Sequence, residues 1–279
     1  MIRLAIRLEA ADAEIVLAEL VELAPSGVEE SELPGGRIEY AVYGAAGELP
    51  ALPDLEAAAG GALVEIVTSE VGDDWDQRWK AFHKPVSIEN RGQVLRVRPP
   101  WEDASAAADE IDLVVDPGQA FGTGAHATTR LCLELMLGLE PSGGCVDLGC
   151  GSGVLAIAAA KLGWAPVLGL DHEPESVTAT IENARVNGVT VTAERFDLRR
   201  DGAVPTAPLV VANLLLPLLL DLSKAGFDGL APQQMIASGL LIEQADEVSA
   251  AFSQAHGLQE QDRRISGEWA ALLLARHAI

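Results

Sequence analysis

"CVDLGCGSGVLAIAAAKLG", residues Cys145 to Gly163, reads as a short apolar strand, a glycine-rich turn and an alanine-rich helix. Strand, turn and helix in that order are the unit from which open α/β sheets are wound, with a ligand at the carboxyl end of the strand. Gly151, Gly153 and Ala156 fit the looser dinucleotide pattern G-x-G-x-x-A. Glycines permit unusual torsions and close approach of a ligand to the backbone. By themselves they do not decide whether the loop cradles a pyrophosphate or holds something else.

The texture around this stretch is consistently α/β from about residue 102 onward. "IDLVVDPG", "PVLGLD", "VTVTAERFD", "LVVANL", "QMIASGL", "EQDRRIS" and "WAALLLARH" read as further strands, with helical patterns between most of them. This alternation predicts a parallel sheet covered on both faces. The last two strands are separated only by "SGE", which predicts an antiparallel hairpin at one edge.

Residues 1–70 differ. "IRLAIRL" alternates as a half-buried strand, "ADAEIVLAELVELA" has helical spacing, and "RIEYAVYG" and "ALVEIVTSEV" read as strands around a short helix in "LPDLEAAAGG". With the weakly marked "GVEESEL", the order is β-α-β-β-α-β, a small ferredoxin-like α+β domain. It carries no chemically suggestive constellation and reads as a recognition module. Residues 71–101 read as a partly docked linker, in which Trp75, Trp79 and Phe82 share one helix face and Pro85, after His83 and Lys84, stops the helix. Residues 102–279 form the predicted ligand-binding domain.

At 279 residues the chain suits one large or two modest domains, and 49% hydrophobic with 22% charged residues is the composition of a globular protein. No apolar run approaches the ~18–20 residues of a membrane span, and "MIRLAIRLEAADAE" lacks the features of a secretory leader. Cys132, Cys145 and Cys150 are odd in number and form no C-x-x-C pair, which points to reduced thiols in the cytoplasm. The net charge of −23 opposes nucleic-acid binding and attracts basic partners, although solubility alone would also account for it.

The acidic residues choose between ligands. Asp147, two residues before Gly149, would repel a pyrophosphate by ~4 kcal/mol at contact distance and intermediate dielectric, whereas a cation would be attracted. S-adenosylmethionine carries an ammonium and a sulfonium. Asp171 ends the next strand about 20 residues on, where an acid accepts bonds from ribose hydroxyls in either cofactor. Asp197, after "ERF", could reach an adenine amino group. Asn213 ends the apolar strand "LVVAN" and offers an amide at the sheet's carboxyl edge.

Three stretches then converge on a family. "DPGQAFGTGAHATTRLCLELM" (Asp116 to Met136), "VDLGCGSGVLAIAAAKLG" and "VVANLL" resemble the ribosomal protein L11 methyltransferases of the PrmA type, and "DDWDQRWKAFHKPVSI" resembles that family's linker. The resemblance covers nearly the whole chain, most closely from Asp116 to Asn213. It implies a Rossmann-like, seven-stranded class I methyltransferase domain behind a small substrate-recognition domain. It further implies that Thr128, Gly149, Asp171 and Asn213 contact S-adenosylmethionine. Phe121, Thr123, Gly124 and His126 belong to a motif that closes over the cofactor's methionine end.

The implied reaction is methyl transfer to amines, lysine side chains and an N-terminal amine, of ribosomal protein L11, with Asn213 orienting the amine. Gly149 and Gly151 then leave room for the cofactor, and Asp147 and Asp197 complete its site. No metal and no membrane or nucleic-acid partner is expected, and the protein is expected to act as a monomer. Two competing readings are a lysine methyltransferase for another protein, such as an electron-transfer flavoprotein subunit, and an NAD-dependent oxidoreductase.

Overall fold

Alternation in "IRLAIRL" produces β1 (Ile2–Glu9), which is flanked by β3 (Arg37–Gly44) and β4 (Leu63–Glu70), with β2 (Glu29–Leu33) outside β3. All neighbours are antiparallel, in the order β2-β3-β1-β4. Leu4, Ile6 and Leu8 pack with Tyr40, Val42 and Val16 on one face. Arg3 and Arg7 pair with Glu39 on the other, and Arg7 also reaches Glu65. The computed structural model describes residues 2–9, 16, 28–34, 36–44, 63–70, 84–105, 107, 109–116 and 124–276. The helices expected in "ADAEIVLAELVELA" and "LPDLEAAAGG" and around Trp75, Trp79 and Phe82 lie outside these residues, except that Val16 is helical.

The chain divides into two units, Met1–Phe82 and His83–Ile279. In the larger one, β5 (Val86–Asn90) and β6 (Gln93–Arg98) form a hairpin whose turn residues Arg91 and Gly92 have φ of 51° and 77°. Two successive positive φ values give a turn whose twist suits the flanking strands. β7 (Glu110–Val114) runs parallel to β6. "IDLVVDPG" therefore does not join the large sheet as its apolar run predicts. It pairs with β6 because Leu113 and Val115 bury beside Leu95 and Val97 in the same core.

The remaining elements are α1 (Ala127–Leu137), β8 (Cys145–Leu148), α2 (Val154–Leu162), β9 (Val167–Asp171), α3 (Pro174–Val186), β10 (Thr192–Arg195), α4 (Leu198–Asp201), β11 (Val204–Pro205), β12 (Leu209–Asn213), α5 (Leu216–Ala225), β13 (Phe227–Asp228), β14 (Gln234–Leu241), α6 (Ala245–His256), β15 (Leu258–Ser266) and β16 (Trp269–Arg276). Seven strands form one sheet in the order β10-β9-β8-β12-β14-β16-β15. The first five are parallel, and β16 runs antiparallel to both β14 and β15, which is the hairpin expected from the sequence.

Burial on both faces explains the almost continuous apolar strands. Cys145, Leu209, Val211 and Ile236 point to the core shared with Leu131, Leu135 and Ile157, on α1 and α2. Val146, Leu148, Val210, Ala212 and Met235 point to the opposite core with Leu219, Leu222, Val248 and Phe252, on α5 and α6. Strand order reverses between β8 and β12, so their carboxyl ends flank a crevice, the usual place for a ligand in such a sheet.

One bulge shapes that crevice. The register of β14 against β16 shifts between Ser238 and Leu240, and Gly239 there has φ +84°. Leu214, just beyond β12, donates its N–H to the Ser238 carbonyl at 2.9 Å. A Cβ at Gly239 would lie 2.5 Å from the Leu214 carbonyl oxygen, a backbone atom that cannot swing away. Gly239→Ala is expected to cost about 2 kcal/mol or more, measured by urea unfolding, since left-handed strain and a backbone clash add.

Candidate active site

The carboxyl end of β8 delivers Asp147 into the turn before α2. Its side chain is completely buried. Oδ2 accepts the Ala156 N–H at 2.9 Å, in the first turn of α2. Oδ1 is buried without a hydrogen-bond partner. Burial pushes this carboxyl up to about 7, against the Ala156 bond, which favours the charged form, and with help from the neighbouring Asp171 charge.

The glycine loop is held from below by the next strand. Gly149 and Cys150 both donate their N–H groups to the Leu170 carbonyl, at 2.8 and 3.1 Å, and Gly153 donates to the Cys150 carbonyl at 2.7 Å. Asp171 sits at the end of β9, and its Oδ2 accepts the Gly151 N–H at 2.9 Å while Oδ1 accepts that of Glu173 at 3.0 Å. Each oxygen keeps a second lone-pair direction. Gly149 has φ +77°, and a Cβ there would meet Leu214 Cδ2 at 2.5 Å. The left-handed torsion is what requires glycine there, since the leucine tip could swing aside.

These bonds decide against a pyrophosphate. A dinucleotide loop offers its free amides and helix N-terminus to phosphate. Here Asp171 and Asp147 already occupy the Gly151 and Ala156 amides with carboxylates. What remains instead is a pair of buried acids with unused acceptor directions, which suits a cation.

The opposite wall is α1. His126 caps it: Nδ1 accepts the Thr128 N–H at 3.3 Å and lies 2.8 Å from Thr128 Oγ1. Burial lowers the His126 pKa, so the ring is held neutral, as an accepting Nδ1 requires. Its ring meets Trp269 edge to face at 5.2 Å. Gly124, φ +82°, packs so closely on Val97 of β6 that a Cβ would lie 2.8 Å from Cγ1. Thr128 is buried, and its carbonyl accepts Ser238 Oγ at 3.2 Å. Asn213 at the end of β12 donates Nδ2 to Thr129 Oγ1 at 3.4 Å, which ties β12 to α1.

The structure thus gathers Asp147, Gly149, Gly151 and Asp171 around the carboxyl ends of β8 and β9, and Gly124, His126, Thr128 and Asn213 around the start of α1. Phe121 and Thr123 lie outside the described residues. Asp197 has a local job: it caps α4 by accepting the Arg199 N–H at 3.0 Å and pairs with Arg200 at 3.2 Å. Sequence reading missed Thr180, Asn183 and Asn187 on α3. Thr180 donates to the Gly151 carbonyl at 3.0 Å, and Asn183 to that of Ser152 at 2.9 Å. The available signal was Asn183, which lies inside a helix although its type favours caps and turns, four residues before Asn187 at the C-cap. Burial pushes the Cys150 thiol up to about 12, so it stays protonated within the loop. No cluster suited to a metal ion occurs among the described residues.

Five parallel strands closed by an inserted antiparallel one, with acids ending β8 and β9 around a glycine loop, define a Rossmann-like class I methyltransferase. Residues 54–277 match the family described as "Ribosomal protein L11 methyltransferase (PrmA)", and the chain belongs to that family. A crystal structure of a ribosomal protein L11 methylase from Lactobacillus delbrueckii subsp. bulgaricus aligns with a TM-score of 0.58 and 34% identity, covering 68% of this chain and 99% of that one. A ribosomal protein L11 methyltransferase of Heliobacterium modesticaldum is 37% identical over 211 residues, 74% of this chain and 65% of that protein. One from Pseudomonas aeruginosa is 39% identical over 209 residues, 74% and 70% respectively. The chain thus spans about two thirds of the length of the curated relatives it matches.

The cofactor this family implies is S-adenosylmethionine, and the residues present fit it. A buried carboxylate oxygen without a partner, beside a second carboxylate, calls for positive charge, which that cofactor's ammonium and sulfonium provide. The raised pKa gives a separate check. A carboxyl that binds its proton more tightly when folded contributes stability that is present below about pH 4 and lost as pH rises through about 7. Asp147→Asn lacks this loss. The stability of the variant relative to wild type, from urea unfolding without cofactor, is expected to rise between about pH 5 and about pH 8. A flat difference would show that Asp147 ionises normally.

Proposed function

We propose that this protein transfers methyl groups from S-adenosylmethionine to amines of ribosomal protein L11, on lysine side chains and the N-terminal amine. The observation that carries the reading is Asn213. Its Nδ2 is held by Thr129, and its Oδ1 has no partner among the described residues. A fixed acceptor at the carboxyl end of β12 suits an amine N–H and would turn the nitrogen lone pair toward a methyl group lying along the glycine loop.

When bound, S-adenosylmethionine supplies an electrophilic methyl on a sulfonium, and the protein aligns and desolvates the reactants. Thr128, Gly149, Gly151, Asp171 and Asn213 would hold it, with Asp147 beneath the loop supplying negative charge. Gly124 and His126 stand at the start of α1, and Phe121 and Thr123 belong to the same sequence motif. Asp197, which caps α4 and pairs with Arg200, would face the adenine amino group with its remaining lone pairs.

The amine must be neutral to attack. For a lysine of pKa ~10.4, deprotonation at pH 7 costs about 4–5 kcal/mol. Burial against an apolar wall reduces this by disfavouring the ammonium. Leu214, the residue after Asn213, is a half-buried apolar side chain and suits that wall. No dedicated base is invoked.

In the same reading the small N-terminal α+β domain, residues 1–70, recognises the substrate, residues 71–101 link it to the catalytic domain, 102–279, and the protein works in the cytoplasm as a monomer. A net charge of −23 favours a lysine-rich partner over a nucleic acid.

The direct test is mass spectrometry of purified L11 after incubation with the protein and S-adenosylmethionine. Methyl-sized mass increments on lysines or the N-terminus are expected, and an unmodified substrate would overturn the reading. Asn213→Ala is expected to keep the fold, by circular dichroism, and to lose about 100-fold in turnover, the cost of a misplaced reactant. Full turnover in that variant would remove Asn213 from its orienting role.

A further inference from the structure

α3 does more than cover one face of the sheet. Asn183 in its last turn and Asn187 at its C-cap lie four residues apart, and they reach the outward-facing backbone at the end of β7 and just beyond it. Asn187 accepts the Val114 N–H at 2.9 Å and donates to the Val114 carbonyl at 2.6 Å, the pair of bonds a neighbouring strand would make. Asn183 accepts the Asp116 N–H at 3.2 Å. On the other side of β7, Val115 donates to the Arg98 carbonyl of β6. Residues 114 and 116 therefore present their backbone outward, where the three-stranded sheet has no further strand among the described residues.

The spacing has a geometric reason. Four helical residues rise about 6.0 Å, and two strand residues about 6.6 Å. Side chains at i and i+4 on a helix thus match the repeat of a strand's outward-facing backbone groups. The asparagine pair takes the place of a fourth strand.

Asn183 has a second bond that Asn187 lacks: Nδ2 donates to the Ser152 carbonyl of the glycine loop. The residue is only 5% exposed, and its amide joins parts of the chain that lie 31 residues before it and 67 residues before it. We infer that Asn183 is a positioning residue that couples the cofactor loop to the strand end leading into "FGTGAHATT". A cofactor that fixes Gly151–Gly153 fixes Ser152, and through one rigid amide it fixes the backbone at Asp116. The inference rests on the S-adenosylmethionine reading of the loop, and the test separates the two.

The measurement is amide hydrogen exchange by NMR on the full chain, with and without S-adenosylhomocysteine, for wild type, Asn183→Asp, Asn183→Ala and Asn187→Ala. In wild type the ligand is expected to slow exchange at Gly151 and, about tenfold, at Asp116. Asn183→Asp keeps an acceptor for Asp116 but loses the donor to Ser152. In it Gly151 should still respond while Asp116 no longer does. Asn183→Ala should behave alike and carries the test if the buried aspartate unfolds the protein. Asn187→Ala should speed exchange at Val114 and leave the Asp116 response intact, which a merely structural clamp would not predict. An Asp116 response equal in all variants, or absent in wild type while Gly151 responds, overturns the coupling. Absence of any ligand effect at Gly151 overturns the cofactor reading, and the coupling with it.

Discussion

The bond between Asp147 and the Ala156 amide holds the catalytic half of this fold in shape. It spans the turn from β8 to α2, so strand and helix cannot separate without exposing a buried carboxylate's only hydrogen-bonded oxygen. The three positive-φ glycines at 149, 151 and 153 are the torsions the chain needs to make that turn in five residues. The same burial makes the acid reluctant to ionise, and Asp171 beside it adds to the reluctance. Two buried acids at neighbouring strand ends disfavour each other's charge, an arrangement that suits a cation. The fold's anchor and its ligand preference are one arrangement of charge.

Much of this was legible in the chain. Alternating strand and helix patterns placed the strands of the large sheet, and the missing helix between the last two strands marked the reversed edge. "IDLVVDPG" was assigned to the wrong sheet because a short apolar run reads alike in either; what settles its place is β6 and the asparagines of α3, neither visible in its own residues. Asp147 and Asp171 were found by position, but not their use of the Ala156 and Gly151 amides, which excludes a pyrophosphate more directly than repulsion does. Asp197 shows the limit of that method. A strand-end acid and a helix cap look identical in sequence, and here the four residues of α4 decide for the cap.

Glycine requirements in the site come as much from the chain as from any ligand. Leu214 lies between Gly149, where a Cβ would strike its side chain, and Gly239, where one would strike its backbone. Leu214, the residue after Asn213, is thus packed between the glycine loop that follows β8 and the bulge of β14.

The place of β16 has a consequence for how the protein is made. Residues 269–276 are the last strand in the described chain, yet they lie inside the sheet, between β14 and β15. During synthesis β14 must wait with an open edge, and β15 has no partner at all, until those residues emerge. Vectorial folding of the catalytic unit therefore cannot be completed progressively. The edge-to-face contact of Trp269 with His126 at the carboxyl edge of the sheet forms only after those residues have emerged.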